Sequence, residues 1–266
     1  MMAFRTRTGR KKPMKANPIH VTRCENGIAT VELDDPPGNA LGADSRRELL
    51  HVLGLFASDD EIRCLLLTAR GEIFCGGDDL KEAQQGDRVA AIREFHTLFA
   101  RLEELRCPTI AAVNGACAGG GLELALCCDV RLASSTARFI ASGVNVGLVA
   151  SSVRLCRLIG VARAKAMLLT GLPVSAAEAL QSGLVWQILA PDAMQEAALA
   201  MAQRIASRAP LSIEAVKRIT NMWLHENTGD PVLLEAEAIQ RLATTRDHRE
   251  AIAAFAECRQ PAFVGE

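Results

Sequence analysis

The alternation of apolar and polar positions along the chain predicts strands and helices in turn. Two alternating stretches, His20–Glu25 and Ile28–Leu33, flank Asn26-Gly27. That dipeptide favours a tight hairpin turn, because both turn positions need positive φ. Apolar residues recur at helical spacing from Ala43 to about Ala57, which predicts an amphipathic helix. The apolar run at Arg63–Ala69 is typical of a strand covered on both faces.

The middle of the chain continues this alternation. We expect a loop at Gly71–Gly77 and mostly helix from Leu80 to about Leu105, with Pro108 as a stop. A second buried strand is predicted at Thr109–Val113. A helix from about Leu122 to Cys127 and a strand at Val130–Ala133 are predicted to follow. Strands that alternate with helices indicate a right-handed α/β topology.

The second half of the chain is predicted to be almost entirely helical. The helical stretches are 152–159, 161–169, 175–183, 191–207, 210–227 and 231–256. An α/β front followed by a helical tail predicts a core over residues 18–190 and a C-terminal helical region over residues 191–266.

Charge is unevenly distributed. Residues 1–17 hold six of the 30 basic residues and no acid, so the rest carries 24 basic against 31 acidic residues. We interpret the basic segment as a solvated, disordered tail rather than a nucleic-acid arm, a membrane arm or a targeting segment. The acidic body and the low aromatic content (4%, with no Tyr) argue against nucleic-acid binding. No apolar run reaches the length of a membrane span, and we expect a cytoplasmic protein.

Nine cysteines and five histidines are scattered without a metal-binding spacing. Cys127 and Cys128 are adjacent, so their side chains diverge and cannot share one metal. We expect reduced, mostly buried thiols and neither a metal nor a disulfide.

Two glycine-containing loops carry the candidate chemistry. Ile73–Lys81 and Ala112–Leu124 each place glycines at a turn from a strand into a helix. Backbone N–H groups of a first helical turn have no partner within the helix. Two such donors aimed at one point form an oxyanion hole, which stabilises a carbonyl oxygen as it gains charge. Neither loop has the spacing of a dinucleotide fingerprint or of a P-loop.

Both loops resemble the signature of a known family. "FCGGDDLKE" resembles the crotonase pattern F-x-A-G-x-D-L-K, and "AAVNGACAGGGLELALCCDVRLAS" resembles A-x-V-N-G-x-x-x-G-G-G-x-E-L-A-x-x-C-D. Similar segments are "PPGNAL", "LTG", "SAAEALQSGLV" and "DHREAIAAFAECRQPAF". The chain is thereby identified as a member of the crotonase (enoyl-CoA hydratase/isomerase) family over roughly residues 20–265.

The resemblance implies an α/β fold, a crotonase-like spiral of ββα turns with a C-terminal helical trimerisation region, assembled into a homotrimer or hexamer. It implies an acyl-CoA thioester substrate, with coenzyme A as part of the substrate and no separate cofactor. The amides of Asp78 and Gly120 correspond to the oxyanion donors, and Glu123 to the first catalytic carboxylate. The implied contacts to substrate and CoA are Cys75, Gly76, Gly77, Leu80, Lys81, Gly119, Gly143 and Arg259.

The sequence departs from the family where a second catalytic glutamate is usual. Gly143 stands at that position, and no acid occurs between Asp129 and Glu178. The family's glycine-rich turn is replaced by Ala150–Arg154. We expect the hydroxyl of Ser151 or Ser152 to cap the following helix; the alternative is that these hydroxyls, with Ser142 and Asn145, hold a water or a polar substrate group.

A further departure is Cys258, at a position often basic in the family, where the side chain reaches the 3′-phosphate of CoA in a neighbouring subunit. Arg259 is adjacent to it and could take that role.

Three functions are compatible with the sequence. The first is an enoyl-CoA hydratase of fatty acid metabolism, which adds water syn to a trans-2-enoyl-CoA with a single glutamate, at a rate reduced by the absent carboxylate. The second is another crotonase-type reaction, such as isomerisation, decarboxylation or thioester hydrolysis. The third is a non-catalytic acyl-CoA-binding protein.

Overall fold

A computed structural model describes residues 17–24, 26–85, 87–224 and 231–266. The predicted basic tail (apart from its last residue), Glu25 of the predicted hairpin and the end of the predicted helix 210–227 lie outside the described residues. Within the described part of the chain, no helix is long and apolar enough to cross a membrane.

Three sheets are formed by the described residues. The strands are β1 (Ile19–Arg23), β2 (Ile28–Leu33), β3 (Ala40–Leu41), β4 (Cys64–Ala69), β5 (Ile73–Cys75), β6 (Gly77–Asp78), β7 (Thr109–Val113), β8 (Ala116–Ala118), β9 (Val130–Ser134), β10 (Arg138–Ile140), β11 (Val174–Ser175) and β12 (Gln187–Leu189). The largest sheet has the order β1-β2-β4-β7-β9-β12, and the others are β11-β10-β8-β5 and β3-β6. Within the largest sheet, β1 and β2 form the predicted antiparallel hairpin and the other pairs are parallel.

Helices connect and cover the sheets. They are α1 (Ala43–Ala57), α2 (Leu80–Gln85), α3 (Arg88–Glu103), α4 (Gly120–Leu126), α5 (Ser152–Ile159), α6 (Val161–Thr170), α7 (Ala176–Ser182), α8 (Met194–Ala206), α9 (Pro210–Leu224), α10 (Pro231–Leu242) and α11 (Arg246–Ala256). Short 3-10 turns lie at Ser142–Val146 and Pro191–Ala193.

The largest sheet is covered on both faces, which explains the continuous apolar run of β4. Cys64 and Leu66 belong to a core cluster with four residues of α8, whereas Leu65 and Leu67 belong to the main core on the other face. The first α-helix after residue 190, α8, therefore covers one face of this sheet and completes the core.

The structure corrects two predicted elements. The segment Gly71–Gly77, predicted as a loop, contains β5 and the start of β6, which are too short to show a periodicity. The stretch 231–256, predicted as one helix, is divided into α10 and α11. The division occurs because the Thr245 side chain accepts a hydrogen bond from the His248 amide and caps a new helix.

Candidate active site

The two glycine loops touch each other through their backbones. Gly77 has φ +91°, and a Cβ there would lie 2.7 Å from the Ala118 oxygen and 2.8 Å from the Gly120 nitrogen. A Cβ on Gly121 would lie 2.2 Å from the carbonyl oxygen of Cys75. A side chain at either position would collide with backbone atoms, so these glycines allow β6 to lie against the start of α4.

This contact brings two amide groups together. Gly120 is the first residue of α4, so its N–H has no acceptor within the helix. A Cβ on Gly120 would lie 3.6 Å from the Asp78 nitrogen. Since a Cβ lies about 2.5 Å from its own nitrogen, the amide nitrogens of Asp78 and Gly120 are at most about 6 Å apart. That spacing allows both amides to reach one oxygen between them.

Glu123 lies in the first turn of the same helix. Helical side chains lean towards the N-terminus, so the Glu123 carboxylate leans towards the turn that carries the Gly120 amide. The residue is 7% exposed. Its Oε1 accepts a hydrogen bond from Arg154, whereas Oε2 is buried and has no partner. One carboxylate oxygen is therefore held in place and the other is available to a water or a substrate.

Arg154 is itself held by a second carboxylate. Its Nε and Nη2 donate to the two oxygens of Glu103 at 3.3 and 2.6 Å. Burial acts to lower the pKa of Arg154, but hydrogen bonding to Glu103 and the nearby negative charges outweigh it and the pKa is raised. The guanidinium stays charged and joins the ends of α3 and α4 to α5.

Ser151 does not cap α5 as predicted. It is the N-cap residue, but its side chain makes no capping hydrogen bond, because its backbone adopts the left-handed conformation (φ +61°) rather than the extended one that capping requires. The Ser152 hydroxyl donates to the Ala150 oxygen at 3.5 Å instead of capping the helix. The Ser151 Oγ is buried without a partner.

The segment around Gly143 packs against these residues. A Cβ at Gly143 would lie 2.9 Å from the Leu148 oxygen and 3.2 Å from the nitrogen of Ala150, the neighbour of Ser151. The Ser142 hydroxyl lies 2.9 Å from where a Cβ of Gly119 would be. Asn145 donates to the Gly171 oxygen at 3.2 Å, at the end of α6, so its amide is engaged there.

An aromatic wall covers the start of α4. A Cβ on Gly120 would lie 3.4 Å from Cε1 of Phe95. Phe95 stacks on Phe99 with ring centroids 5.6 Å apart. The guanidinium of Arg46 lies 4.9 Å from the Phe95 centroid, at a distance that gives a cation–π contact. The ring is therefore held against the paired amides.

The remaining residues predicted to contact substrate lie in three places. Cys75 and Gly76 belong to the first loop, where burial raises the pKa of the Cys75 thiol to about 12. Leu80 and Lys81 are exposed at the start of α2. Arg259 follows α11, and its side chain bonds Glu250, Glu257 and the Gln260 carbonyl. None of these hydrogen bonds joins Arg259 to the glycine loops.

Sequence reasoning missed several residues around the glycine loops and Glu123. They are Phe95, the ion-paired residues Glu103 and Arg154, and Arg88. Arg88 pairs with the Asp78 carboxylate. One signal was available. Residues 130–177 contain five arginines, one lysine and no acid, so an arginine of this stretch can form an ion pair only with a carboxylate from elsewhere in the chain.

The site therefore combines the two amide donors of Asp78 and Gly120 with a Glu123 carboxylate that has one free oxygen. This arrangement is suited to stabilising an oxyanion while one proton is transferred. Among the described residues, no group of three or more His, Cys, Asp or Glu side chains is placed to hold a metal ion.

Comparison with known proteins agrees with this chemistry. The family model for enoyl-CoA hydratase/isomerase matches residues 23–266. A short-chain-enoyl-CoA hydratase of Clostridium acetobutylicum is 35% identical over 245 residues, covering 89% of this chain and 94% of that protein. An (E)-benzylidenesuccinyl-CoA hydratase of Thauera aromatica is 36% identical over 248 residues, covering 90% and 96%.

A solved structure of an enoyl-CoA hydratase from Bacillus anthracis matches with a TM-score of 0.89 at 30% identity, covering 94% of this chain and all of that one. The crotonase fold expected from the sequence is confirmed by this match. The chain belongs to the enoyl-CoA hydratase/isomerase family and is an enzyme of the crotonase type.

Proposed function

We propose that the protein is an enoyl-CoA hydratase that adds water syn across the double bond of a trans-2-enoyl-CoA, with Glu123 as its single catalytic carboxylate. The proposed oxyanion hole consists of the Asp78 and Gly120 amides. These amides would hold the thioester oxygen as negative charge develops on it during attack at the β-carbon.

The observation that carries this proposal is the state of the Glu123 carboxylate. Oε1 is bound by Arg154, while Oε2 is buried and unpartnered one helical turn from the Gly120 amide. A buried polar atom without a partner is unusual in a native fold and needs an explanation. A water or substrate atom in contact with Oε2 would supply the missing hydrogen bond.

A single carboxylate must perform two steps. Glu123 Oε2 takes a proton from the water as the water oxygen bonds to the β-carbon, and electrons pass to the thioester oxygen. The protonated carboxyl then returns that proton to the α-carbon. Both new bonds form on one face, so the addition is syn, and the sum is one water added.

Assembly is part of the proposal. Apolar side chains of the C-terminal helices are exposed in the single chain: Val216, Ile239, Ile252 and Phe255 are 61%, 62%, 58% and 88% exposed. A homotrimer or hexamer would bury such side chains. In such an assembly Lys81, or Arg259 from a neighbouring subunit, could reach the phosphates of CoA, and we place the enzyme in cytoplasmic fatty acid metabolism.

The test is the hydration of crotonyl-CoA, followed by the loss of enoyl-thioester absorbance, with the parent and Glu123→Gln. We expect measurable turnover that falls about 10²–10⁴-fold in the variant, the range for loss of an acid–base group. Glu104→Gln, on the exposed glutamate that follows Glu103 at the end of α3, is the control and should retain the parent rate.

Binding of acyl-CoA without turnover that depends on Glu123 would contradict the proposal and favour a non-catalytic protein. Turnover of a β,γ-enoyl-, β-keto- or dicarboxyl-CoA in place of crotonyl-CoA would indicate one of the other crotonase-type reactions.

A further inference from the structure

Two buried polar atoms of the site lack partners. Within the described part of the chain, Glu123 Oε2 and Ser151 Oγ are each buried and form no hydrogen bond, and both residues are 7% exposed. A buried polar atom that stays unpaired costs about 1–3 kcal/mol. Buried waters typically occupy such places and bridge two to four polar groups.

Contacts through Arg154 place these two atoms in one region. Ser151 is the N-cap of α5, and Arg154 lies in the first turn of that helix, three residues further on. Arg154 in turn donates to the Glu123 carboxylate. The Arg154–Glu123 pair therefore holds the free carboxylate oxygen close to the start of α5, where Ser151 lies.

The backbone of Ser151 supports a role beyond packing. A non-glycine residue with φ +61° occupies a sparsely populated region. Glycine would fit this conformation better, yet a residue with a hydroxyl stands here and the hydroxyl does not bond the helix it precedes. Strained residues of this kind are concentrated at functional sites.

We propose that Ser151 Oγ and Glu123 Oε2 together hold the water that is added to the substrate, so that Ser151 is a positioning residue for that water. The inference rests on the proposed hydratase function. The water donates one hydrogen to Glu123 Oε2 and the other to Ser151 Oγ, which directs a lone pair of the water oxygen towards the β-carbon. Ser151 transfers no proton: Glu123 takes the proton from the water and returns it to the α-carbon.

The test compares the hydration kinetics of Ser151→Ala and Ser151→Gly with those of the parent. Both variants remove the hydroxyl, but Ser151→Gly also relieves the left-handed backbone. We expect kcat to fall about tenfold or more in both, with KM for crotonyl-CoA changed less than about threefold. Ser151→Gly should be at least as resistant to urea as the parent. Ser152→Ala, on the neighbouring hydroxyl, is the matched control and should keep the parent kcat.

A double variant separates positioning of the water from a general structural effect. If Ser151 acts through the water bound to Glu123, Ser151→Ala should lower the residual rate of Glu123→Gln less than about twofold. A crystal structure of the parent should show an ordered water between the two oxygens, and this water should be lost or displaced in Ser151→Ala.

Two results would overturn the inference while leaving the proposed function intact. One is a parent-like kcat in Ser151→Ala. The other is that Ser151→Ala lowers the rate of Glu123→Gln by the same factor as it lowers the rate of the parent. A parent enzyme whose hydration does not depend on Glu123 would instead refute the proposed function itself, and the inference with it.

Discussion

Two charged clusters lie at opposite ends of α4, and they differ in how completely their polar atoms are paired. Beyond the end of the helix, Asp129 Oδ2 accepts from the amide and hydroxyl of Thr109 at 2.7 and 2.9 Å and pairs with Lys217 at 2.8 Å. Lys217 also donates to the Cys107 carbonyl at 3.0 Å. At the start of the helix, Glu123 is paired through one oxygen only.

The difference separates a structural cluster from a functional one. The Asp129 cluster has protein partners for its buried side-chain atoms among the described residues, so it needs no ligand to be complete. In the Glu123 cluster, one buried acceptor oxygen has no partner. Such an atom lowers the stability of the fold, so its presence indicates a role in function. We expect mutations in the first to change stability, and mutations in the second to change turnover.

Of the variants that compare the two clusters, Lys217→Met should have the largest effect, and this effect is on stability. It leaves the Asp129 carboxylate without its cation, and we expect a loss of about 3 kcal/mol, at the lower end for a broken buried pair because Asp129 is partly exposed. Urea unfolding measures this loss, with Arg218→Met on the exposed side of α9 as control. A folded Lys217→Met enzyme with strongly reduced kcat would break the distinction between the clusters.

Gly143→Glu tests whether the incomplete cluster gains from a second carboxylate. Gly143 lies in a 3-10 turn and has no positive φ, so the backbone conformation is no obstacle. The added Cβ meets the Leu148 oxygen and the Ala150 nitrogen, and we expect a loss of about 2 kcal/mol as the loop shifts.

Gly143→Ala carries the same Cβ and is the control for that strain. If the hydratase lacks only a proton donor, Gly143→Glu should hydrate crotonyl-CoA faster than Gly143→Ala, by tenfold for each ~1.4 kcal/mol of recovered stabilisation. Equal rates in two folded variants would show that the pocket cannot use a carboxylate at this position.

Arg154→Lys sharpens the comparison from within the functional cluster. An ammonium cannot bond the two oxygens of Glu103 and Glu123 Oε1 with the fork geometry of a guanidinium. Because Glu123 would be less firmly oriented, we expect kcat to fall about tenfold, or about 1.4 kcal/mol, with a smaller change in stability. Arg157→Lys, one turn further on the exposed side of α5, should leave both quantities unchanged.

The smallest effect concerns an exposed pair far from both clusters in the chain. The Arg259 side chain, with the Ala262 amide, lowers the pKa of the Glu250 carboxyl to about 2. A lowered folded-state pKa stabilises above the ordinary carboxyl pKa, and this stabilisation is lost as the pH falls towards 2. In Arg259→Gln, NMR titration should show the Glu250 pKa raised towards its ordinary value. An unchanged titration midpoint would mean that Arg259 does not control it.

The local patterns predicted most of the core but little of the cluster around Glu123. The helix Ala43–Ala57 and the strand Thr109–Val113 agree with the structure in their bounds. The first has apolar residues at helical spacing, and the second is a short apolar run that ends at turn residues. The two-residue strand β6 was not predicted, since its conformation depends on pairing with β3, a partner distant in sequence.

The site was predictable only where it follows a motif. Glu123 and Gly120 belong to one glycine-rich segment, but Arg154 and Glu103 meet through packing of α3 against α4 and α5. Ser151 was expected to cap a helix because serine favours that position. Its left-handed backbone, which no composition rule predicts, directs the hydroxyl elsewhere.

The close contact between the glycine loops has a consequence for anyone who randomises this pocket to change its substrate. At Gly77 and Gly121 an added methyl group would collide with backbone atoms of the opposite loop, so nearly every library member altered there should misfold before its chemistry can be screened. Phe95 instead contacts the side chains of Phe99 and Arg46, which can move or be exchanged singly. A Cβ at Gly143 also meets backbone atoms, of its own loop. A useful library would keep Gly77 and Gly121 constant and concentrate its diversity on Phe95 and Ser151.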